Sequence, residues 1–211
     1  MKEILLNDNN KLINYGKPYV VAELNTSHFG DIGIAKTMID EAKNAGCNCV
    51  KFQSWNENTL YSKTYYDENP IAKRFVKKFS FSKEELLTLS NYCNKKNISF
   101  ASTPYSFDEV DTLVKECDVP FIKVASMDIS SHYLLEYIAN TNKPIILSTG
   151  MSEISEIEEA ISVIENQGNT NICILHCVSI YPAENKILNL NNIISLRKRF
   201  DKYPIGYSDH S

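Results

Sequence analysis

Two lysines lie inside short apolar segments of the kind that form β-strands. Lys51 stands in the run Cys-Val-Lys-Phe-Gln and Lys123 in the run Phe-Ile-Lys-Val-Ala. An ammonium group in such a place must be paired or must face a water-filled opening, because burying an unpaired charge is costly. Each lysine alone is explained by an ion pair with a structural carboxylate. The two together predict a site for a phosphate or a carboxylate.

Small hydroxyl side chains stand at the ends of similar segments and would donate hydrogen bonds to such an anion. They are Thr103, Ser126, Ser148 and Ser208. Singly, the serines are equally typical of helix N-caps, and Thr103 before Pro104 suits a turn. Glu23, at the end of the first segment, could act as an acid or base, bind sugar hydroxyls or form a structural salt bridge.

Residues that could hold a metal are few. His210 follows an acidic residue at the end of the last segment, which suits a metal ligand or a general base. His28 and His176 are weaker candidates, and His176 is also typical of a core histidine. The six cysteines lack zinc-ribbon spacing, and we expect them to be reduced thiols packed as small apolar groups.

The predicted strands are short and rich in β-branched or aromatic residues. They occupy residues 19–23, 49–53, 98–103, 121–125, 144–148, 172–177 and 204–208. Most are apolar on both faces, as expected of strands that are covered on both sides. The polar candidates named above therefore lie where strands end.

Stretches with helical spacing of apolar residues alternate with these strands. They occupy residues 34–43, 82–93, 108–117, 132–139, 154–166 and 190–200. Ser82 and Glu85 form a capping-box pattern, and Ser155 with Glu158 is a second such pattern that would delay the start of its helix. The longest interruption, residues 54–78, predicts a loop that acts as a lid or packs over the mouth of the fold.

The alternation of strand and helix predicts parallel strands with right-handed crossovers. No glycine-rich dinucleotide fingerprint follows the first strand, so an open sheet and a barrel remain. Seven strands with polar residues at nearly every end favour an α/β fold of the parallel (β/α)8 TIM-type barrel class, forming one domain over residues 1–211. Because the chain stops directly after the seventh strand, we expect a barrel truncated at that point.

Composition narrows the functional class. The 211 residues carry a formal net charge of −4, which argues against a nucleic-acid partner. No apolar run is long enough to span a membrane, and the N-terminus lacks the features of a signal peptide. We therefore expect a cytoplasmic protein that binds small molecules.

The strand-end motifs together resemble those of the sialic acid synthase family, which includes N-acetylneuraminate, legionaminate and pseudaminate synthases. The matching residues are Ala-Glu at 22–23 with His28 and Gly30, Val-Lys-Phe-Gln at 50–53, Ser-Thr-Pro-Tyr at 102–105, Lys-Val-Ala-Ser at 123–126, Leu-Ser-Thr-Gly-Met at 147–151, Leu-His-Cys at 175–177 with Tyr-Pro at 181–182, and Gly-Tyr-Ser-Asp-His at 206–210. Several are weak singly, but seven in order, each at a strand end, are specific.

The resemblance implies the condensation of phosphoenolpyruvate with an open-chain N-acyl hexosamine, giving a nine-carbon 2-keto sugar acid and phosphate. It implies that phosphoenolpyruvate is surrounded by Gln53, Thr103, Lys123, Ser126, Ser148, Ser179 and Ser208. It implies that Glu23, Lys51 and Tyr181 face the sugar and that Asp128 lies near the reacting carbons, with Glu23, Lys51 and Asp128 as the catalytic candidates. It implies that His210 is one of two histidines that hold a divalent metal, Mn²⁺ first, with Mg²⁺ or Co²⁺ as alternatives.

Some residues depart from the family pattern. Ser27 stands where the family commonly has asparagine, and Ser179 and Asp128 are shorter than some family counterparts, which leaves the identity of the sugar open. Family members continue to an eighth strand, which carries the second metal histidine. They then continue to an antifreeze-like domain that serves the partner's site in a domain-swapped homodimer.

The 211 residues contain neither of these parts, so we expect the isolated chain to be inactive. Two alternatives remain open. One is a pyruvate aldolase that forms a Schiff base on Lys51 or Lys123, and the other is a fragment that only binds a ligand.

Overall fold

The computed structural model describes residues 3–211. The chain divides into two compact units: one combines the N-terminal residues through Pro18 with Phe121–Ser211, and the other is Tyr19–Pro120. Each unit contains its own parallel sheet with helices between the strands. The candidate site residues therefore divide between two sheets, one in each unit.

A short antiparallel hairpin, which the sequence analysis did not predict, begins the first unit. It pairs β1 (Ile4–Leu5) with β2 (Lys11–Leu12). After it, the side chain of Asn14 donates to the carbonyl oxygen of Tyr203 at 3.1 Å and accepts from the backbone N–H of Ile205 at 2.8 Å. This buried amide satisfies backbone groups at the start of the last strand.

The second unit is built on a three-stranded parallel sheet. Its strands are β3 (Val21–Glu23), β4 (Cys49–Ser54) and β5 (Ser99–Pro104), in that order. β4 is almost completely buried, which explains its continuous apolar sequence. The register sets Glu23 beside Lys51 and Gln53 beside Thr103.

The two long helices of this unit begin at polar caps. The Asp31 side chain accepts from the backbone N–H of Ile34 and starts α1 (Ile32–Asn44). Ser82 and Glu85 form the expected capping box at the start of α4 (Lys83–Lys96). Both helices bury apolar residues along one face.

The interruption after β4 is more ordered than the predicted loop. Residues 54–78 include α2 (Lys63–Glu68) and most of α3 (Pro70–Phe79). Ser62 caps α2, and Pro70 occupies the first turn of α3, where its missing N–H leaves no helical hydrogen bond unmade. The prediction of a loop at this place was wrong.

The helix predicted at residues 108–117 has two parts. α5 (Phe107–Asp111) follows an N-cap at Ser106, and Thr112–Glu116 continues it with π-type hydrogen bonding. The backbone N–H of Cys117 bonds to the carbonyl oxygen of Thr112, as expected for that wider turn.

The first unit contains a four-stranded parallel sheet. Its strands, in order, are β6 (Ile122–Val124), β7 (Ile145–Ser148), β8 (Ile172–Cys177) and β9 (Ile205–Ser208). The register sets Lys123 beside Ile146, Ser148 beside Leu175, and Cys177 beside Ser208. Because side chains alternate in a strand, Lys123, Ser148, Cys177 and Ser208 share one face.

Three helices separate these strands: α6 (His132–Asn140), α7 (Ile154–Asn166) and α8 (Asn192–Arg199). The Glu156 carboxylate accepts from the backbone N–H of Glu153 at the start of α7, so the cap does not involve Ser155 and Glu158 as one pattern suggested.

The seven predicted strands are confirmed, and so is their parallel arrangement within each sheet. Closure into a barrel stays a prediction, because the strands of residues 3–211 form separate sheets. Within the same residues, no helix combines the length and apolar character needed to cross a membrane.

Candidate active site

Four candidate side chains of the second unit share one face of its sheet. Glu23, Lys51, Gln53 and Thr103 occupy neighbouring positions in the register of β3, β4 and β5. Phe52 and Ser102 point to the opposite face, as the alternation of a strand requires. The sequence alone placed these residues at strand ends, and the register puts them side by side.

Lys51 is neutralised within this group. Its side chain is only 10% exposed, and its ammonium forms an ion pair with the Glu23 carboxylate, whose side chain is 43% exposed. The same ammonium donates to the Thr103 hydroxyl at 3.1 Å. Glu23 thus forms the salt bridge that was one of its predicted roles. Its carboxylate is still partly exposed and can contact a ligand.

Gln53 belongs to a chain of hydrogen bonds that the sequence analysis missed. The Tyr105 hydroxyl donates to Gln53 Oε1 at 3.2 Å, and the Tyr105 backbone N–H donates to Glu109 Oε2 at 2.6 Å. Burial raises the pKa of Glu109, although hydrogen bonds to its carboxylate oppose that effect. The sequence signal for Glu109 was the capping-box spacing of Ser106 and Glu109, which indicates a helix start and not the contacts described here.

His28 is a buried neutral side chain. Burial lowers its pKa to about 4. Nδ1 accepts from the backbone N–H of Gly30 at 3.0 Å, and the ring stacks on Phe81 with centroids 4.1 Å apart. Gly30 has φ +76°, and a side chain there would strike the carbonyl oxygen of Lys78. The His-x-Gly motif therefore shapes the turn after β3.

Lys123 is the central cation of the first unit. Its side chain is buried, and its ammonium donates to Ser148 Oγ at 2.5 Å and to the carbonyl oxygen of Val124 at 2.7 Å. Both of these acceptors are uncharged oxygens, and the charge of Lys123 also acts on the Asp128 carboxyl group. Ser148 therefore orients Lys123 and does not serve as a helix N-cap.

Gly150 leaves room for several polar side chains near the ends of β6 and β7. Its backbone N–H donates to Ser126 Oγ at 3.0 Å. A Cβ at this glycine would collide with Ser179 Oγ and approach Ser126 Oγ and Cys177 Sγ to 3.0 and 3.2 Å. Ser126 is thus part of a small hydroxyl cluster, which the missing side chain of Gly150 permits.

Asp128 is the candidate carboxyl group whose pKa lies nearest neutrality. Burial raises its pKa to about 6, against the opposing effects of a hydrogen bond with Ser131 and the charge of Lys123. Its Oδ2 is buried without a hydrogen-bond partner among residues 3–211. A carboxyl group that titrates near neutrality can both hold and release a proton during a reaction.

His210 has a defined tautomer. Nδ1 lies 2.7 Å from the carbonyl oxygen of Val178, which only accepts, so Nδ1 carries the proton of the neutral ring. Nε2 then accepts from the Tyr181 hydroxyl at 3.0 Å, and the two rings stack with centroids 4.0 Å apart. Ser208 Oγ lies 3.4 Å from the same Nε2.

The side chains of residues 3–211 do not by themselves complete a metal site. They contain no cluster of three or more His, Cys, Asp and Glu residues suited to a metal ion. His210 has the tautomer of a metal ligand, since its second nitrogen binds a carbonyl oxygen. His176 is a satisfied core residue, with Nε2 2.7 Å from the carbonyl oxygen of Leu188. Among these histidines, His210 is thus the one whose hydrogen bonds suit a metal ligand.

Each predicted site residue thus lies in one of two groups. Glu23, Lys51, Gln53 and Thr103 form the group on the three-stranded sheet. The group at the ends of the four-stranded sheet contains Lys123, Ser126, Asp128, Ser148, Ser179, Tyr181, Ser208 and His210. Each group contains one buried lysine that donates to a hydroxyl of the neighbouring strand.

Comparison with known proteins identifies the family of the chain. The sequence model of the NeuB family matches residues 38–211. The chain belongs to the NeuB family. The resemblance to sialic acid synthases that the motifs indicated is confirmed, and members of the family related to this chain carry the names of sialic, legionaminic and pseudaminic acid synthases.

Three NeuB relatives illustrate the similarity. An uncharacterized protein of Methanocaldococcus jannaschii is 42% identical over 100% of this chain and 60% of its own length. The N-acetylneuraminate-9-phosphate synthase of Drosophila melanogaster is 35% identical over 98% of this chain and 58% of its own. The crystal structure of the sialic acid synthetase of Leptospira borgpetersenii with citrate superposes with a TM-score of 0.90, at 38% identity over 100% of this chain and 70% of that one. The NeuB chain described here therefore spans about 60% of the length of these curated relatives.

Proposed function

We propose that this NeuB chain carries the phosphoenolpyruvate site of an enzyme that condenses phosphoenolpyruvate with the aldehyde of an N-acyl hexosamine. The products are a nine-carbon 2-keto sugar acid, a nonulosonate, and phosphate. Membership of the family supports the reaction class, because relatives are named as synthases of such acids. The activity is proposed for a protein that extends over the full length of those relatives.

The observation that carries this proposal is the grouping of a buried lysine with three serine hydroxyls. The ammonium of Lys123 donates to Ser148 Oγ and to the carbonyl oxygen of Val124, and the hydroxyls of Ser126 and Ser179 lie near the same strand ends and in the loop after β8. A charged donor with several hydroxyl donors suits a phosphate or a carboxylate. Phosphoenolpyruvate carries both groups.

The side chains suit the proposed steps. The enol carbon of phosphoenolpyruvate attacks the sugar aldehyde, whose oxygen takes up a proton. Water then adds to the carbon that bears the phosphate oxygen and loses a proton. The bond between that carbon and the phosphate oxygen breaks, the new hydroxyl loses its proton to leave the ketone, and phosphate takes up that proton as it departs. Asp128, with its pKa raised to about 6 by burial, is suited to moving one of these protons. We assign the Glu23–Lys51 ion pair as a contact of the sugar substrate. Tyr181, which is 74% exposed, is assigned the same role.

Phosphoenolpyruvate binding tests the assignment. Replacing Lys123 by alanine removes a charge-assisted contact, typically worth about 1.5–3 kcal/mol, so affinity measured by calorimetry should fall roughly 10- to 150-fold. Lys186→Ala is the matched control, because Lys186 is an exposed lysine of the same unit whose ion pair is with Glu184. Unchanged affinity in Lys123→Ala would remove the basis of the proposal.

Borohydride reduction in the presence of pyruvate separates this reaction from that of an aldolase. Condensation of phosphoenolpyruvate requires no imine, so neither Lys51 nor Lys123 should acquire pyruvate mass on reduction. A pyruvate adduct on either lysine, located by peptide mass spectrometry, would favour the Schiff-base alternative.

We also propose that His210 is one ligand of a divalent metal, with Mn²⁺ ahead of Mg²⁺ and Co²⁺, and that the full-length protein is a domain-swapped homodimer. The roles given to the other side chains do not depend on either statement. Mn²⁺ binding measured by electron paramagnetic resonance should weaken in His210→Ala if the ligand assignment is right. Light scattering of the full-length protein gives the number of subunits.

A further inference from the structure

Glu109 holds together two segments that are far apart in the sequence. It lies in the first turn of α5, and its carboxylate turns back toward the end of β5, where Oε2 accepts from the Tyr105 backbone N–H at 2.6 Å. Oε1 accepts from Asn56 Nδ2 at 3.2 Å and from Thr59 Oγ1 at 2.8 Å. One carboxylate thus joins the end of β5 to the segment after β4.

Helix capping accounts for only part of this arrangement. The Ser106 side chain accepts from the Glu109 backbone N–H at 3.4 Å, and the Glu109 carboxylate in turn interacts with the backbone of Ser106, as in a capping box. Asn56 and Thr59 belong to another segment, and a cap has no need of them.

The segment that Glu109 holds is a compact turn organised by Asn56. The Asn56 side-chain oxygen accepts from the backbone N–H of Asn58 at 2.8 Å, and its carbonyl oxygen accepts from the backbone N–H of Leu60 at 3.2 Å. The amide nitrogen of Asn56 remains for Glu109. The carboxylate therefore fixes the whole turn through a single side chain and the Thr59 hydroxyl.

The other end of the arrangement is Gln53, which the resemblance to sialic acid synthases gives as a contact of phosphoenolpyruvate. Tyr105, whose N–H binds Glu109, donates its hydroxyl to Gln53 Oε1 at 3.2 Å, and its ring lies 6.0 Å from that of Trp55. With its carbonyl oxygen taken, Gln53 has its amide N–H groups to offer. An anion requires such donors, so the Tyr105 bond sets Gln53 in the orientation that binds phosphate or carboxylate.

We propose that Glu109 is a positioning residue that clamps the turn at residues 56–60 to the end of β5 and, through Tyr105, orients the Gln53 amide for its ligand. The role of Gln53 as a ligand contact rests on the proposed function. The clamp itself rests only on the contacts of Glu109.

Two readouts test the clamp separately from the function. Trp55 is the only tryptophan of the chain, so its fluorescence reports on the start of the clamped segment. Glu109→Ala should shift the Trp55 emission maximum to longer wavelength and increase its quenching by acrylamide. The same variant should raise the dissociation constant for phosphoenolpyruvate, measured by calorimetry, at least fivefold.

Two matched variants accompany it. Asp108→Ala removes an exposed carboxylate from the same helix turn and should leave both readouts at their wild-type values. Glu109→Gln keeps one oxygen for the Tyr105 N–H, while its amide nitrogen, in place of Oε1, can donate to the Thr59 hydroxyl but cannot accept from Asn56 Nδ2. It should therefore keep the link to Tyr105 and retain phosphoenolpyruvate affinity within about threefold of wild type, with a smaller shift of the Trp55 emission than in Glu109→Ala.

The outcomes are distinct. Unchanged Trp55 emission and quenching in Glu109→Ala would overturn the clamp, whatever the affinity. If wild type does not bind phosphoenolpyruvate, the proposed function fails, and the Trp55 comparison of Glu109→Ala with Asp108→Ala alone decides the clamp. If Glu109→Ala does not fold, the same two measurements on Glu109→Gln and Tyr105→Phe decide whether the clamp exists. Tyr105→Phe should weaken phosphoenolpyruvate binding at least threefold without exposing Trp55, and wild-type affinity in that variant would refute the link to Gln53.

Discussion

Replacing Asp128 by asparagine should stabilise the protein, and the gain should depend on pH. Burial raises the pKa of Asp128 from 3.8 to about 6. A raised carboxyl pKa means that the folded state favours the neutral form, so wild type loses stability as pH rises from about 4 to about 6. The shift corresponds to roughly 3 kcal/mol above pH 7, which is an upper estimate. Asparagine is always neutral and keeps an oxygen for Ser131.

Urea and thermal unfolding at pH 5, 6, 7 and 8 measure this effect. At pH 8 the thermal midpoint of Asp128→Asn should exceed that of wild type by up to about 6–12 °C for a chain of this size. By pH 5 the gain should fall to about half of that value. Asp201→Asn is the control, because it removes an exposed carboxylate of the same unit and should change little. An equal gain at all four pH values, or a loss, would refute the role of burial.

Three further outcomes can be measured. Gly150→Ala places a methyl group against Ser179 Oγ. Calorimetry should therefore show weaker phosphoenolpyruvate binding, and the free energy of unfolding should fall by about 1–3 kcal/mol. Wild-type values in both measurements would contradict the packing at Gly150. Burial lowers the pKa of His28 to about 4, so the unfolded state takes up a proton at higher pH than the folded state, and the free energy of unfolding should decline as pH falls from about 6.5 toward 4. His28→Phe should flatten this part of the plot of unfolding free energy against pH, whereas an unchanged slope would show that other groups cause the decline. Glu23→Gln in the full-length protein should lower turnover with little change in phosphoenolpyruvate affinity, whereas equal losses would indicate a purely structural ion pair.

The elements that the sequence predicted well are those decided by local chemistry. Residues 154–166 were predicted as a helix and 172–177 as a strand, and both agree with the structure to the residue. Ser82 and Glu85 form the expected capping box, because the two side chains need only their own helix turn. Residues 54–78, by contrast, contain two short helices, and the prediction of a loop overlooked the helical spacing of Ala72, Val76 and Phe79 in the second of them.

The candidate site was predicted by residue type but not by contact. The sequence identified Lys51 and Lys123 as cations in apolar strands, and both are buried. It could not tell that Lys51 pairs with Glu23 while Lys123 donates to Ser148, because either lysine could have met a carboxylate. The Glu109 clamp was missed for the same reason.

The sequence by itself determined the alternation of strand and helix, the polar residues at the strand ends and the membership of a family that shares those motifs. These features follow from the local spacing of residue types along the chain, which is known before any tertiary contact is known. Only the tertiary structure decided which groups meet and which are shielded from water. Lys51 and Thr103 are 52 positions apart, and Lys123 and Ser148 are 25 apart. The pKa values of Asp128 and His28 shift because the surrounding chain excludes solvent, and that exclusion exists only once distant segments have packed.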